Sequence, residues 1–291
     1  MTKVRVGLIG CGFIAELHMQ AYRRVYGLAA EVTSVSARGD AVLDFARRHR
    51  IAATYRDWRA LVADPAIDVV DICTPPALHA KMIVAAMRAG KHVICEKPFA
   101  GYFGRPGDAT PVGRQVPKSV MYERVLEEMA ATAAAIRETG RLFMYAEDWI
   151  YAPAVAKTAE IVRASGDRIL FVKAEESHSG SHAAHAGEWA MTGGGSLFAN
   201  ITPNNHLTSY LTDEGKLASV YITEKVDRKT GWQFVSLEEE STRGYLQEIQ
   251  DFMECAASGR EPISGLALAE ETIKIIYAGY WSAEEGRRIT L

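Results

Sequence analysis

The sequence lacks any apolar run close to the roughly 20 residues that a membrane-spanning helix needs. Cysteine is also scarce, with four residues in a chain of 291. They stand at Cys11, Cys73, Cys95 and Cys255, and none of them forms the CxxC spacing of a zinc site or a redox motif. We interpret all four as reduced, structural thiols of a cytoplasmic protein, and we predict neither a disulfide framework nor a zinc site.

An excess of charge of one sign is missing too. The formal net charge is -3, with 24% of the residues charged. Nucleic acid and anionic membrane surfaces are therefore not expected as partners, because both attract strongly basic proteins. The first ten residues lead directly into a strand pattern, so we predict no signal peptide.

What the first half does contain is an alternation of short apolar runs with amphipathic segments. Strands are predicted at 4–9, 32–35, 69–73, 92–95 and 141–145, and helices at 14–25, 41–49, 79–88 and 121–138. Strands that alternate with helices indicate a parallel sheet covered by helices on both faces. Residues 99–117 are rich in glycine, proline and polar residues, which predicts an irregular surface loop.

The rhythm changes after Glu147. A helix is predicted at 153–164, strands at 169–174, 219–223 and 233–237, and helices at 245–257 and 267–283. We therefore place a domain boundary near Glu147, with a nucleotide-binding domain at 1–147 and a second domain at 148–291.

A glycine motif lies where the first strand gives way to the first helix. It reads Gly10-Cys11-Gly12-Phe13-Ile14-Ala15, the GxGxxA pattern of dinucleotide-binding domains. The first glycine permits a tight turn, the second lets the backbone approach a pyrophosphate, and the small third residue lets helix and strand pack closely. The helix N-terminus then offers free N–H groups to the phosphates. The motif predicts that this segment binds NAD or NADP.

The end of the second strand bears on the choice of cofactor. NAD-binding domains usually place an acidic residue there to accept hydrogen bonds from the ribose 2′-hydroxyl. Here the segment reads Ser36-Ala37-Arg38, and the first carboxylate is Asp40. Ser36 and Arg38 would hydrogen-bond and neutralise a 2′-phosphate, which favours NADP over NAD. The alternative is that Arg38 stacks on adenine or points into solvent.

Further motifs follow the later strands: Cys73-Thr74-Pro75-Pro76-Ala77-Leu78-His79 and Cys95-Glu96-Lys97-Pro98. Together with the glycine motif they make the chain resemble the glucose-fructose oxidoreductase, inositol dehydrogenase and MocA (Gfo/Idh/MocA) family. The resemblance continues in 146–153, in Gly193-Gly194-Gly195-Ser196-Leu197 and in 280–288.

The resemblance implies an α/β protein whose N-terminal Rossmann domain precedes an α+β domain with an open, mainly antiparallel sheet. It implies an NAD(P)-dependent oxidoreductase acting on CH–OH groups of a sugar, a cyclitol or a related small molecule, in a homo-oligomer. Lys97 matches the family's acid/base lysine, and cofactor contacts fall on Cys73, Thr74, Pro75, His79, Glu96 and Lys97. For His79, capping or packing is an equal alternative.

One departure from the family pattern follows the triple glycine. The family's catalytic histidine is expected shortly after it, but here Leu197 is followed by Phe198-Ala199-Asn200-Ile201. The resemblance therefore implies that an internal block is absent between Leu197 and Phe198. A non-catalytic sensor or subunit that binds dinucleotide is consequently the alternative to an enzyme.

Two residues after the strand at 169–174 are candidate substrate contacts, Glu176 and His178. His182 and His185 follow in the same loop, but no cysteine or carboxylate accompanies the histidines at a ligand spacing. We therefore predict no metal site.

Overall fold

The computed structural model describes residues 3–166, 168–174, 187–194, 207–212, 217–219 and 243–291. For residues 171–174, 207–212 and 217–219 it describes the backbone alone. The junction of Leu197 with Phe198 and the predicted strand at 233–237 therefore lie outside the described residues.

The strands and helices follow the predicted alternation. The strands are β1 (Lys3–Ile9), β2 (Ala29–Ser36), β3 (Ala53–Tyr55), β4 (Val69–Ile72), β5 (His92–Glu96), β6 (Phe143–Ala146), β7 (Ile169–Ala174), β8 (Leu207–Thr212) and β9 (Leu217–Ser219). The helices are α1 (Phe13–Tyr22), α2 (Ala41–His49), α3 (Trp58–Ala63), α4 (His79–Arg88), α5 (Val112–Gln115), α6 (Lys118–Thr139), α7 (Pro153–Ser165), α8 (Trp189–Thr192), α9 (Tyr245–Ser258) and α10 (Leu266–Glu285). Short 3-10 turns occupy Pro76–Leu78 and Asp148–Tyr151.

Strands β1 to β6 form one parallel sheet in the order β3-β2-β1-β4-β5-β6. The order reverses between β1 and β4, which is where doubly wound sheets open a crevice for ligands. All four residues of β4 are buried, as expected for a central strand covered on both faces. The predicted Rossmann fold is confirmed.

Several short elements were not predicted, namely β3, α3, α5, α8 and β8, and one segment differs from its prediction. β3 and α3 have three and six residues, too short to show a clear apolar period. The predicted surface loop at 99–117 is irregular, but its first part is not on the surface. Phe99 and Tyr102 are buried and pack in the core beneath the sheet, because their aromatic area outweighs the glycines and prolines beside them.

The last two helices lie against the first sheet, although they follow the segment assigned to the second domain. α9 packs on α1, and α10 packs on α6 and β6. Ile249 and Phe252 of α9 belong to the core on one face of the sheet, while Ile273 and Tyr277 of α10 belong to the core on the other. The contiguous division at Glu147 therefore does not describe this packing, because an apolar helix face does not specify which sheet covers it.

The strands after α7 form a separate sheet. β7 pairs antiparallel with β8, and β8 pairs antiparallel with β9. This is the mainly antiparallel sheet expected for the second part of the chain. Over the described ranges, no helix is long and apolar enough to cross a membrane.

The packing of α10 generates a stability prediction. Ile273 is fully buried and Ile275, on the same helix, is 37% exposed. We expect Ile273→Ala to lower the free energy of unfolding by about 2–5 kcal/mol because it leaves a cavity against the sheet. Ile275→Ala is the matched control and should cost less than about 1 kcal/mol. Urea unfolding followed by circular dichroism measures both, and equal losses would show that α10 does not complete this core.

Candidate active site

The carboxyl ends of the parallel strands bring the predicted motifs together. Ile9 of β1 is in register with Ser36 of β2 on one side and with Ile72 of β4 on the other. Cys95 of β5 continues the row beside Ile72, and Tyr145 of β6 stands beside Cys95. The residues that follow this row on β1, β4, β5 and β6 therefore share one edge of the sheet.

The glycine turn after β1 is closed by main-chain contacts. The Gly10 N–H donates to the Ser36 carbonyl oxygen at 2.8 Å, and the Cys73 N–H donates to the Ile9 carbonyl oxygen at 2.8 Å. Gly10 has a φ of 115°, and a Cβ placed there would lie 2.1 Å from the Cys73 carbonyl oxygen. Only glycine fits this position, because both the backbone angle and the close approach exclude a side chain.

The start of α1 fits a phosphate group. Gly12 precedes the helix, no side chain caps its first turn, and a Cβ at Gly12 would meet no atom within 4 Å. The first-turn N–H groups are thus open to an anion. Phe13 is 71% exposed, Ile14 is half-buried, and Ala15 is fully buried, so Ala15 supplies the predicted close packing of helix on sheet.

The two residues at the end of β2 that are predicted to meet a 2′-phosphate differ in exposure. Ser36 is only 1% exposed, whereas Arg38 is exposed. Arg38 is therefore the accessible member of the pair. The first carboxylate after β2 in the sequence, Asp40, is ion-paired with Arg56 at 2.7 Å, and this pairing reduces its repulsion of a phosphate.

The loop after β4 is attached to the loop after β5 by His79. One ring nitrogen of this buried histidine lies 2.9 Å from the Pro98 carbonyl oxygen, and the other lies 2.8 Å from the Thr74 carbonyl oxygen. Burial lowers the pKa of His79, partly opposed by these two contacts. The ring is engaged with main chain, which supports packing over a direct cofactor contact. Thr74 and Pro75 are half-buried, and Cys73 is buried at the start of the loop.

Glu96 ends β5, and Lys97 follows it at the edge. Glu96 is buried and Lys97 is half-buried. The Glu96 carboxylate accepts the main-chain N–H of Lys97 at 3.1 Å. The predicted acid/base lysine thus follows β5, two strands from β1, at the same edge of the sheet as the glycine turn, where ligands of doubly wound sheets bind.

Two charged residues that we did not predict complete this edge. His18, on the buried face of α1, contacts Asp71 of β4 and Glu96 of β5. The sequence signal was a histidine between apolar Leu17 and Met19, and an aspartate inside the apolar strand Val69–Ile72. Neither a histidine nor an aspartate is stable in an apolar core without a polar partner, so each residue indicated that a partner such as the other lies nearby.

Comparison with known proteins agrees with this geometry. Residues 4–115 match the oxidoreductase family with an NAD-binding Rossmann fold, Gfo/Idh/MocA. Over these residues the chain is similar to that family. The predicted resemblance is thereby confirmed, and so is the assignment of this region to NAD or NADP.

Individual relatives match over the same region. Levoglucosan dehydrogenase of Pseudarthrobacter phenanthrenivorans is 40% identical over 107 residues, which are 34% of this chain and 27% of the relative. The scyllo-inositol 2-dehydrogenase (NADP(+)) of Bacillus subtilis is 33% identical over 98 residues, 33% of this chain and 29% of the relative. The matches thus span less than a third of these curated relatives.

A solved structure extends the likeness in fold to the whole chain. Levoglucosan dehydrogenase in complex with NADH and L-sorbose superposes with a TM-score of 0.68 over 98% of both chains, at 20% identity. At this identity the likeness concerns the fold alone.

Two further buried acidic residues lie near the carboxyl edge of the parallel sheet. Asp148 follows β6, and Glu248 lies in the first turn of α9, with neither carboxylate oxygen of Glu248 hydrogen-bonded to a described residue. Burial raises the pKa of Glu248 well above its usual range, and the neighbouring Asp148 adds to the shift. Burial also raises the pKa of Asp148 to about 7, opposed by the charge of Lys97. Asp148 is therefore a buried carboxyl group that feels the charge of Lys97 and binds a proton more readily than an ordinary carboxylate.

Some predicted residues are not placed. Glu176 and His178, the candidate substrate contacts, lie outside the described residues, as do His182 and His185. Within the part of the chain that the structure describes, one group offers three metal-ligand atoms, namely His18, Asp71 and Cys73. These atoms are hydrogen-bonded to one another, so the geometry is explained without a metal, and the absence of a metal stays a prediction.

The raised pKa of Asp148 predicts an unusual dependence of stability on pH. Between about pH 4 and pH 7 the folded protein holds a proton on Asp148 that the unfolded chain releases, so stability falls as pH rises through this range. We expect Asp148→Asn to remove part of this fall, on the order of 2–4 kcal/mol. The measurement is the free energy of unfolding at several pH values, with the exposed Asp40→Asn as control. Parallel curves for wild type and Asp148→Asn would contradict the assignment.

Proposed function

We propose that this protein is an NAD(P)-dependent dehydrogenase or reductase acting on a CH–OH group of a sugar, a cyclitol or a related polyhydroxylated small molecule. The observation that carries the proposal is the position of Lys97. It follows Glu96 at the carboxyl end of β5, on the same sheet edge as the glycine turn. Relatives named for levoglucosan and scyllo-inositol support the substrate class.

Different residues at this edge of the sheet would perform different parts of such a reaction. Gly10 and Gly12 let the main chain approach the diphosphate, and the open first turn of α1 binds its charge. Nicotinamide supplies the hydride acceptor or donor. Lys97 holds or accepts the proton of the reacting hydroxyl, and its charge acts on the neighbouring carboxyl group of Asp148. Asp148 is thereby a titratable neighbour of Lys97 in a chain that lacks the family's histidine shortly after the triple glycine, where Leu197 runs into Phe198.

NADP is the proposed cofactor. The exposed Arg38 provides a cation at the end of β2, and Arg56 neutralises Asp40 nearby. A guanidinium forms charge-assisted hydrogen bonds with phosphate, which a ribose hydroxyl cannot match. Ser36 is not accessible to a phosphate in this structure, because its side chain is buried.

The remaining predictions concern the second part of the chain and the assembly. Glu176 and His178 stay predicted substrate contacts, and the homo-oligomer and the cytoplasmic location stay predictions. A non-catalytic sensor or subunit is the second candidate, favoured by the missing histidine. The intact mass of the purified protein bears on it, because 31.9 kDa would show that no block is present between Leu197 and Phe198.

Turnover tests the proposal. We expect NADP⁺ reduction with at least one of levoglucosan, myo-inositol and scyllo-inositol, followed at 340 nm. Lys97→Met should lower kcat by about 100- to 10,000-fold, because the proton acceptor is lost, with the affinity for NADPH nearly unchanged. Lys81→Met, at an exposed position of α4, is the matched control and should retain activity. NADPH binding with no turnover across a wider set of sugars and cyclitols would favour the sensor instead.

Cofactor preference gives a separate prediction. Arg38→Ala should weaken NADPH binding by about 10- to 100-fold, because charge-assisted hydrogen bonds to the 2′-phosphate are lost, while NADH binding changes little. Fluorescence titration of both cofactors measures this. Arg47→Ala, which removes an exposed arginine of α2, controls for the change in net charge. Equal effects of Arg38→Ala on both cofactors would assign the arginine to the adenine instead.

A further inference from the structure

A buried histidine bridges two acidic residues from neighbouring strands. His18 Nδ1 lies 2.9 Å from Asp71 Oδ2, and His18 Nε2 lies 3.1 Å from Glu96 Oε1. His18 and Asp71 are fully buried and Glu96 is 7% exposed. The three residues come from α1, β4 and β5, so the bridge joins the helix that follows the glycine turn to the strand that precedes Lys97.

The partners require a charged imidazole. A carboxylate accepts hydrogen bonds, so a ring nitrogen facing one must carry a proton, and His18 faces carboxylates with both nitrogens. Burial by itself lowers the pKa of His18, but the charge of Asp71 and the surrounding hydrogen bonds raise it well above its usual value. Removal of this cation would leave two buried carboxylates on adjacent strands without their shared counter-charge.

Asp71 is held by other groups as well. The Tyr22 hydroxyl donates to Asp71 Oδ2 at 2.9 Å, and the Cys73 thiol donates to Asp71 Oδ1 at 3.5 Å. Burial raises the pKa of Cys73, which keeps the thiol protonated. Asp71 is thus a fixed anchor, and His18 transmits its position to Glu96.

Glu96 is the last side chain in the series of contacts that runs from Asp71 through His18. Its Oε1 faces His18, and its Oε2 accepts the main-chain N–H of Lys97 at 3.1 Å. Both oxygens are therefore committed, one to α1 and one to the backbone of Lys97. A carboxylate held at both oxygens fixes the main chain at Lys97, at the same edge of the sheet as the glycine motif.

We propose that His18 is a positioning residue, which fixes Glu96 and through it the backbone of Lys97 relative to the dinucleotide-binding turn. The effect on catalysis rests on the proposed function, whereas the effect on the Lys97 backbone does not. A displacement of about 1 Å between reacting groups is enough to cost about 100-fold in rate. His18 itself does not touch the substrate, because its side chain is fully buried.

Hydrogen exchange of the segment around Lys97 tests the structural part without any substrate. In His18→Gln the amide of Lys97 should exchange about tenfold faster, because Glu96 loses its support and its hydrogen bond to that amide weakens. The matched control is Met19→Ala, which removes a buried apolar side chain of the same helix without touching Glu96. It should leave this exchange unchanged at a comparable loss of stability. Equal acceleration in both variants would overturn the proposal.

Kinetics test the functional part. His18→Gln should lower kcat by about 10- to 100-fold with the NADPH affinity within about threefold of wild type, and Met19→Ala should retain kcat. If wild type shows no turnover while the exchange result holds, the proposed function fails and the positioning role stands. If wild type turns over and His18→Gln matches it in kcat and in exchange, the positioning role fails alone.

Glu96→Gln keeps the test valid if His18→Gln does not fold. It preserves the shape of the side chain but offers a single acceptor oxygen to His18 and Lys97, so the Lys97 amide should again exchange faster. Where His18→Gln does fold, the double variant should lose no more kcat than the more impaired single variant, since both substitutions act on the same chain of contacts. Additive losses would overturn the proposal, and so would stoichiometric zinc in purified wild-type protein, because zinc would replace the bridge.

Discussion

Burial of negative charge is the constraint on which the nucleotide-binding edge depends. Five acidic side chains are buried within a few residues of this edge: Asp71, Glu96, Glu147, Asp148 and Glu248. An ionised carboxylate is costly to remove from water, so it needs a counter-charge or a proton. Asp71 and Glu96 share the imidazolium of His18, while Asp148 and Glu248 have raised pKa values. The protonation states of these buried groups therefore depend on one another.

The same constraint connects the fold with the proposed chemistry. Parallel strands with matched ends place the glycine turn of β1 and Lys97 of β5 on one line. His18 lies on α1, the helix whose first turn is open to a phosphate, and it reaches Glu96 directly before Lys97. A single helix thus contributes to cofactor binding with its N-terminus and to the support of Lys97 with its second turn.

Helices from the far end of the chain complete the core of the N-terminal domain. α9 and α10 come from the last 50 residues or so, yet they fill both faces of the first sheet. Gly244, before α9, has a φ of 104°, and a Cβ there would lie 2.1 Å from the Asp148 carbonyl oxygen. This close approach brings the first turn of α9, with Glu248, to the residue that follows β6. The polar edge is therefore assembled from both ends of the chain.

Local pattern was sufficient for the main elements. The prediction of α4 at 79–88 is confirmed at both ends, as is that of β7 at 169–174. The glycine motif predicted the turn after β1, since a positive φ and a close main-chain contact need glycine wherever they occur. β3 and α3 escaped prediction because so few residues carry no readable period, and Phe99 was assigned to the surface because its neighbours are glycine and proline.

By itself, the sequence determined the alternation of strands and helices, the Rossmann fold that follows from it, and the motifs that end the strands at one edge of the sheet. These depend on residues close together in the chain, whose periodicity and backbone preferences are local properties. Only the tertiary structure decided that His18 joins Asp71 to Glu96, that Ser36 is buried while Arg38 is exposed, and that α9 and α10 cover the first sheet. Those outcomes depend on which side chains meet across 50 to more than 200 residues of chain, and electrostatic pairing and burial act on distance in space rather than on distance in sequence.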